Sequence, residues 1–485
     1  MPRPSLTLAA DGDVLRGAFA AVRRELEVPE ELPAEVLAEA HAAATAGTDP
    51  YADERTDLRD VPFVTVDPPG STDLDQAVHL ARRPAGFRVR YAIADVAAFV
   101  RAGGAIDAEA HRRGETVYCP DGRVPLHPEE LSEGAASLLA DVERLAVVWT
   151  FDLDADGTVT STDVRRGLVR SREQLDYAGV QAALGSAGRD DLPTLLAEIG
   201  TLRAQQERAR GGVSLGRPEQ EVVPDGDGWR LEYRAPLPVE DHNAQISLLT
   251  GMAAAGLMLD AGVGVLRTMP PADDEALARL RRQARALGVA WADGEEYGDV
   301  LARLDHAEPA TAAFLSAATA LFRGAAWTPF DGTPPAQVLH GAIAAPYAHV
   351  TAPLRRLVDR YGLEVSLAAH AGREVPGWVT AALPTLGEEM ALASRRSSAV
   401  DRACTDVVEA AVLAAHVGAV FDGVALDHDT VQLTDPAVVA RCDGDDLPVG
   451  EHVRVRLARA DVGARDVRFT LDGTAPHAPA ARARR

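Results

Sequence analysis

Val64-Thr-Val-Asp67-Pro-Pro-Gly-Ser-Thr-Asp73-Leu-Asp75-Gln76-Ala77 is the stretch on which the reading of this chain turns. β-Branched residues lead up to Asp67 as in a strand, and Pro68-Pro69-Gly70 brings the chain back. If Asp73-Leu74-Asp75 is extended, its period of two points both carboxylates to one face. Three carboxylates gathered at a strand end repel one another unless a hard divalent cation neutralises them. Mg²⁺ shared with substrate phosphate oxygens is the usual arrangement, and two such ions can clamp an in-line phosphoryl displacement. A solvated acidic turn in an acidic protein is the other reading of the same residues.

Outward from this segment the pattern alternates between sheet and helix. Residues 61–66 and 86–93 read as strands, 105–113 as a helix, and 145–153 as a strand that turns at 154–157 into a return strand to about 164. Helical spacing then dominates: 174–183, 192–210, 244–260, 274–287, 311–321, 355–370 and 386–415. Short strands return at 417–426, 430–433, 438–442 and 452–457, a spacing that suits an OB-type barrel. At the other end, 15–26 and 33–45 read as helices joined at Pro29 and Pro33. No repeat of 20–50 residues is present.

The chain has 485 residues, 47% hydrophobic and 25% charged, which excludes collagenous, low-complexity and wholly disordered classes. At roughly 100–200 residues per domain, it holds more than one domain. The weakly polar run 246–259 falls short of the ~20 apolar residues of a membrane helix. The N-terminus reaches Asp11 and Asp13 with no signal-peptide core, so a soluble, cytoplasmic protein without a membrane partner is expected. Cys119, Cys404 and Cys442 are far apart and support neither a disulfide framework nor a thiolate zinc site. The 49 basic residues are all Arg. A net charge of −24 argues against non-specific coating of nucleic acid but allows a local basic channel.

The span from Asp67 to about Asp401 resembles the catalytic domain of the ribonuclease II (RNB) family of exoribonucleases. The motifs that carry the resemblance come in the family's order: Thr65-Val-Asp67-Pro, Asp73-Leu-Asp75-Gln76, Ile93-Ala-Asp95 and Arg113-Gly-Glu-Thr-Val-Tyr118. They continue with Val124-Pro-Leu-His-Pro-Glu-Glu-Leu-Ser132 and Tyr347-Ala-His349-Val-Thr351-Ala-Pro353-Leu-Arg355-Arg356. The resemblance implies an α/β fold, a mixed sheet wrapped by helices, followed by the C-terminal OB-type barrel. The expected layout is a small helical segment (1–55), the catalytic domain (56–402), a linking helix with the barrel (403–474) and a disordered tail (475–485). Residues 1–55 are too short for the two cold-shock barrels common in bacterial members.

By the same resemblance Asp67, Asp73 and Asp75 hold Mg²⁺, with Mn²⁺ as a possible substitute. Gln76 stands where the family has a fourth Asp and offers at most one weak carbonyl ligand. Asp75, Arg355 and Asp401 form the expected catalytic set, Asp401 replacing a family Glu. Tyr118 stacks on the 3′-terminal base, while Arg355 and Arg356 bind substrate phosphate. His349 and Thr351 read as structural. The partner expected is single-stranded RNA, degraded from the 3′ end to nucleoside 5′-monophosphates; the sequence leaves the oligomeric state open. A catalytically silent scaffold that binds RNA or a protein is the alternative, and a phosphodiesterase for very short oligonucleotides is a third reading. An acidic barrel lacking an aromatic face (Asp443-Gly-Asp-Asp446) either packs or grips RNA. Asp152–Gly157 reads as a hairpin rather than a calcium loop, and Gly212-Val-Ser214-Leu-Gly216 lacks the preceding strand of a nucleophile elbow. Arg82, Arg83, Arg88 and Arg90 read as a solvated face or a phosphate-guiding rim.

Overall fold

The computed structural model describes residues 12–47, 49–216, 218–305, 308–444 and 446–474, so the expected tail at 475–485 lies outside the described residues. The central sheet is built from five strands: β1 (Phe63–Asp67), β2 (Gln76–Arg83), β3 (Gly86–Ala94), β4 (Glu143–Leu153) and β5 (Val159–Asp176). Antiparallel hairpins join β2 to β3 and β4 to β5, with β4 also antiparallel to β3. β5 is long enough to serve two partners. Its first part pairs with β4, and its last residues run parallel to β1, with Asp67 opposite Asp176. β1 pairs antiparallel with β2, so the pairings close into a ring, and the short strand Thr56–Asp57 adds to β5.

Alternation along the strands separates two cores. Tyr91, Ile93, Trp149 and Phe151 face a large cluster with the helices Leu192–Ala209, Pro238–Ala261 and Leu357–His370. Ala92, Ala94, Ala146 and Val148 face a second cluster with Leu74, Leu131, Leu138 and the helix Ala34–Thr45. Each large side chain buried this way contributes roughly 1.5–3 kcal/mol. Pro238–Ala261 is long and apolar enough by composition to cross a membrane, yet Ile246, Leu249, Ala254 and Met258 are buried inside this core.

The C-terminal strands Val420–Ala425, Thr430–Leu433, Val439–Asp443, His452–Asp461 and Asp466–Thr474 form a closed barrel. The mixed α/β fold with an OB-type barrel therefore stands as expected. One helix, Gly377–Leu413, runs across the expected boundary at 402/403. Its distal part (Val400, Cys404, Val407, Val408) belongs to the same apolar cluster as the barrel interior and the N-terminal helix Gly12–Glu25.

Three features of the structure depart from or add to the sequence reading. The helix expected from 174 begins only at Tyr177, because 174–176 continue β5 onto β1. Strands Glu219–Asp225 and Gly228–Arg234 form a hairpin around Gly226 in the stretch left unassigned between the expected helices 192–210 and 244–260. Strands Val263–Thr268 and Ala326–Asp331 pair across some sixty residues, a contact that no local period announces.

Gly114 ends the helix Ala105–Arg113 at φ +73°, and a Cβ there would lie 2.4 Å from Ala393 Cβ on the long helix. Left-handed strain and overpacking act together. Gly114→Ala is expected to lower stability by about 2–4 kcal/mol in chemical denaturation.

Candidate active site

β1 ends at Asp67, and the chain turns through Pro68–Ser71 with Gly70 at φ +82° and Ser71 N–H donating to the Pro68 carbonyl. Leu74 is fully buried in the second core and fixes the alternation around it. The returning segment is tied to 132–138: Leu74 N–H donates to Ser137 Oγ at 3.0 Å, and Leu138 N–H to the Leu74 carbonyl at 2.9 Å.

The other half of the site is the 347–356 segment, which leads into Leu357–His370. Asp75 is 3% exposed; its Oδ1 accepts from Leu354 N–H at 2.7 Å, and its Oδ2 lies 3.2 Å from Arg355 Nε. Gln76 Nε2 donates to the Thr351 carbonyl at 2.6 Å, while its Oε1 accepts from the Tyr91 hydroxyl at 2.6 Å. Both ends of its amide are thus engaged within the protein, and one lone pair of its carbonyl is taken by Tyr91. Arg355 keeps 45% of its side chain exposed.

Arg356, expected to bind substrate phosphate, is paired with a carboxylate of the helix that follows it. It makes a two-pronged pair with Asp359 at 2.9 and 2.7 Å, and Asp359 also accepts from Ala352 N–H at 2.6 Å. Asp359 is fully buried, so it demands a full set of donors, and Arg356 supplies two of them. Asp401 also lies apart from the cluster. It is exposed on the long helix and lines a cavity of about 800 Å³ with Glu219, Asp406 and Glu409, beside the barrel. His349 and Thr351 pack as structural residues; burial, with Arg356 nearby, pushes the His349 imidazole down to about 3.

Tyr118 stands on the hairpin Val117–Cys119/Gly122–Val124, 47% exposed, with its hydroxyl donating to Asp73 Oδ2 at 3.3 Å. That exposure rules out a core tyrosine. The sequence reading missed Arg123, whose Nη1 donates to Asp73 Oδ1 at 2.9 Å. The signal was present: Pro120-Asp121-Gly122 is a turn, and a two-residue loop sets Tyr118 opposite Arg123.

Burial holds the Asp67 carboxyl up at about 6, against Arg355, with Asp73 pushing the same way. Burial likewise raises Asp75 to about 7, with Arg355 and the Leu354 N–H opposing. Asp67 Oδ2 is buried without a hydrogen-bond donor, and Asp75 Oδ2 is buried with no hydrogen bond beyond its ion pair to Arg355. Buried carboxylate oxygens with so few donors suit a divalent cation. Among the described residues, however, no three His, Cys, Asp or Glu side chains converge as a ready-made cage.

The remaining motif residues are architectural. Asp95 pairs with Arg55 at 2.9 Å, and Arg113 binds Glu109 and the carbonyls of Pro125 and Glu31. The basic cluster on β2 and β3 is neutralised at home: Arg82 pairs with Glu198 and Asp190, while Arg83 and Arg88 pair with Asp152. The turn at 154–157 joins two paired strands, as expected.

Residues 55–363 match the model of the RNB domain, and 419–472 that of the RNase II-type exonuclease C-terminal S1 domain. Exosome complex exonuclease RRP44 homolog A of Arabidopsis thaliana is 31% identical over 319 residues, 63% of this chain and 34% of that protein. Ribonuclease R of Escherichia coli is 27% identical over 474 residues, 86% of this chain and 57% of that protein. The chain thus spans between a third and just over half of these relatives. The apo form of Mycoplasma genitalium RNase R shares the fold, with a TM-score of 0.83 over 95% of this chain and 78% of that one at 20% identity.

Raised carboxyl pKa values set the sign of a pH effect. Between about pH 4 and 7 folded Asp67 and Asp75 retain protons that the unfolded chain has released, so metal-free stability falls as pH rises through that window. The slope approaches roughly 1.4 kcal/mol per pH unit for each retained proton. Denaturation in chelator from pH 4.5 to 7.5 should show a flatter profile for Asp75→Asn than for the wild type.

Proposed function

This chain belongs to the RNB family, and we propose that it acts as a divalent-metal-dependent 3′-to-5′ exoribonuclease on single-stranded RNA, releasing nucleoside 5′-monophosphates in the cytoplasm. One observation carries the reading: Asp75, buried and held by Leu354 N–H, turns its second oxygen to the half-exposed Arg355 at 3.2 Å, while Asp67 keeps a buried oxygen without a donor. Asp67 and Asp75 would hold Mg²⁺ or Mn²⁺, which supplies Lewis-acid charge and a more acidic water when bound. Arg355 offers a planar, permanently charged donor fork to the scissile phosphate and its developing charge. Tyr118 offers a ring face to the last base, a contact open to any base. The Leu354 N–H keeps Asp75 oriented.

The barrel contributes less to RNA binding in this reading. Phe421 and Phe469 are buried in its core, and Arg454, Arg456, Arg459 and Arg468 each pair with a nearby Asp. Few free cations remain on its surface for phosphate, so binding should be weak and salt-sensitive.

Gln76 favours a second reading, a silent scaffold that binds RNA or a protein. Its position carries no charge, and both ends of its amide are committed. The two readings part on turnover. A 5′-labelled single-stranded RNA incubated with Mg²⁺ or Mn²⁺ should give a ladder shortening from the 3′ end, abolished by chelator. Asp75→Asn should slow it by about a hundredfold or more. Intact RNA at every length, with binding preserved in chelator, would establish the scaffold.

A further inference from the structure

We propose that Asp73 is a positioning carboxylate for the Tyr118 platform and not a ligand of the divalent cation, and that Arg123 assigns it this role. The inference rests on the exoribonuclease reading of the site. Three adjacent carboxylates look equivalent in sequence, but the structure divides them. Asp73 has both oxygens engaged, Oδ1 by Arg123 Nη1 at 2.9 Å and Oδ2 by the Tyr118 hydroxyl at 3.3 Å. Asp67 keeps a buried Oδ2 with no donor, and Asp75 Oδ2 has no hydrogen bond and meets only Arg355, in an ion pair at 3.2 Å. The absence of a three-ligand cage among the described residues agrees with that division.

Arg123 is itself fixed. Its Nη2 donates to Thr72 Oγ1 at 2.6 Å and pairs with Glu133, while Thr72 Oγ1 donates to Glu133 Oε2 at 2.7 Å. Moving Arg123 off Asp73 would break this network as well as the ion pair. The far end of the hairpin is also held, by Arg23 on Asp121 at 2.7 Å and by Trp229 Nε1 donating to the Pro120 carbonyl at 3.0 Å. Tyr118 therefore stands oriented before substrate arrives, its ring open to solvent and its hydroxyl tethered. A tethered ring loses less rotamer freedom on stacking than a free one.

The two roles predict opposite signs in the absence of metal. A carboxylate that serves only the cation repels phosphate once metal is gone, so removing it should tighten RNA binding. A carboxylate that positions Tyr118 should weaken binding when removed. The experiment measures the Kd of a fluorescent single-stranded RNA in excess chelator for the full chain, Asp73→Ala, Tyr118→Ala and the double variant. Alongside it, Mn²⁺ is titrated into the RNA-free protein by electron paramagnetic resonance. Asp73→Ala is expected to weaken RNA about fivefold or more, as Tyr118→Ala does, with the double variant no worse than either single one. Its Mn²⁺ affinity should fall less than about tenfold, whereas Asp75→Asn should lose far more.

Tighter RNA binding by Asp73→Ala, with an Mn²⁺ loss equal to that of Asp75→Asn, would overturn the proposal while leaving the exoribonuclease reading intact. A wild type that binds neither RNA nor Mn²⁺ would overturn both. If Asp73→Ala does not fold, Arg123→Lys and Tyr118→Phe carry the same test. Each should weaken RNA in chelator without weakening Mn²⁺, and no change in RNA binding would refute the positioning role.

Discussion

Asp75 and Gln76 open one strand, and their side chains reach across 279 and 275 residues of sequence to the Leu354 N–H and the Thr351 carbonyl. Neither bond is strong alone, at about 1 kcal/mol net for a neutral pair and somewhat more to a charge. Their value lies in what they prevent. A buried carboxylate left without its donor costs the full desolvation of a charge, so the 347–356 segment cannot move away while Asp75 stays ionised. The join places Arg355 against the acidic cluster and fixes the entry to the buried helix Leu357–His370. The closed sheet and Asp359 hold the same segment from its two sides, which is why it sits in one position without a loop of its own.

Charge in this protein is mostly internal bookkeeping between Arg and Asp or Glu. With no Lys and a net charge of −24, a phosphate-binding role would seem to call for a broad basic surface. The structure shows the opposite distribution. Arg82 and Arg88 pair with carboxylates on neighbouring elements, and Arg456 and Arg459 of the barrel pair with Asp472 and Asp466 on the adjacent strand. Arg356 is spent on Asp359, and Arg123 on Asp73 and Glu133. Arg355 differs in that its Asp75 contact is single and nearly half of its side chain faces solvent. Accessible positive charge beside an acidic cluster favours a ligand that reaches that point.

Much of the architecture was legible because it is local. The strands beginning at 86 and 145, the turn at 154–157 and most helices carry their own period, and the barrel strands are separated by Gly, Asp and Pro. Misreadings fell where a distant partner overrides the period. Residues 174–176 look helical but pair with β1, and 263–268 needs 326–331 before it can be a strand. The helix Gly377–Leu413 ignores a domain boundary because its two halves face different cores.

At the site, the sequence by itself determined the chemistry on offer: a strand ending in Asp67, a turn, an Asp73-Leu74-Asp75 alternation set by a buried Leu74, an aromatic at 118 and a guanidinium at 355. These follow from side-chain period and turn residues, which act over a few positions. Only the tertiary structure decided how those groups are used. It gave Asp73 to Arg123, left Asp67 with an open oxygen and Asp75 against Arg355, turned Gln76 into a tie between Tyr91 and Thr351, joined Arg356 to Asp359 and put Asp401 on a cavity beside the barrel. The physical reason is that a carboxylate's role depends on which donors surround it, and here most of those donors arrive from segments tens to hundreds of residues away.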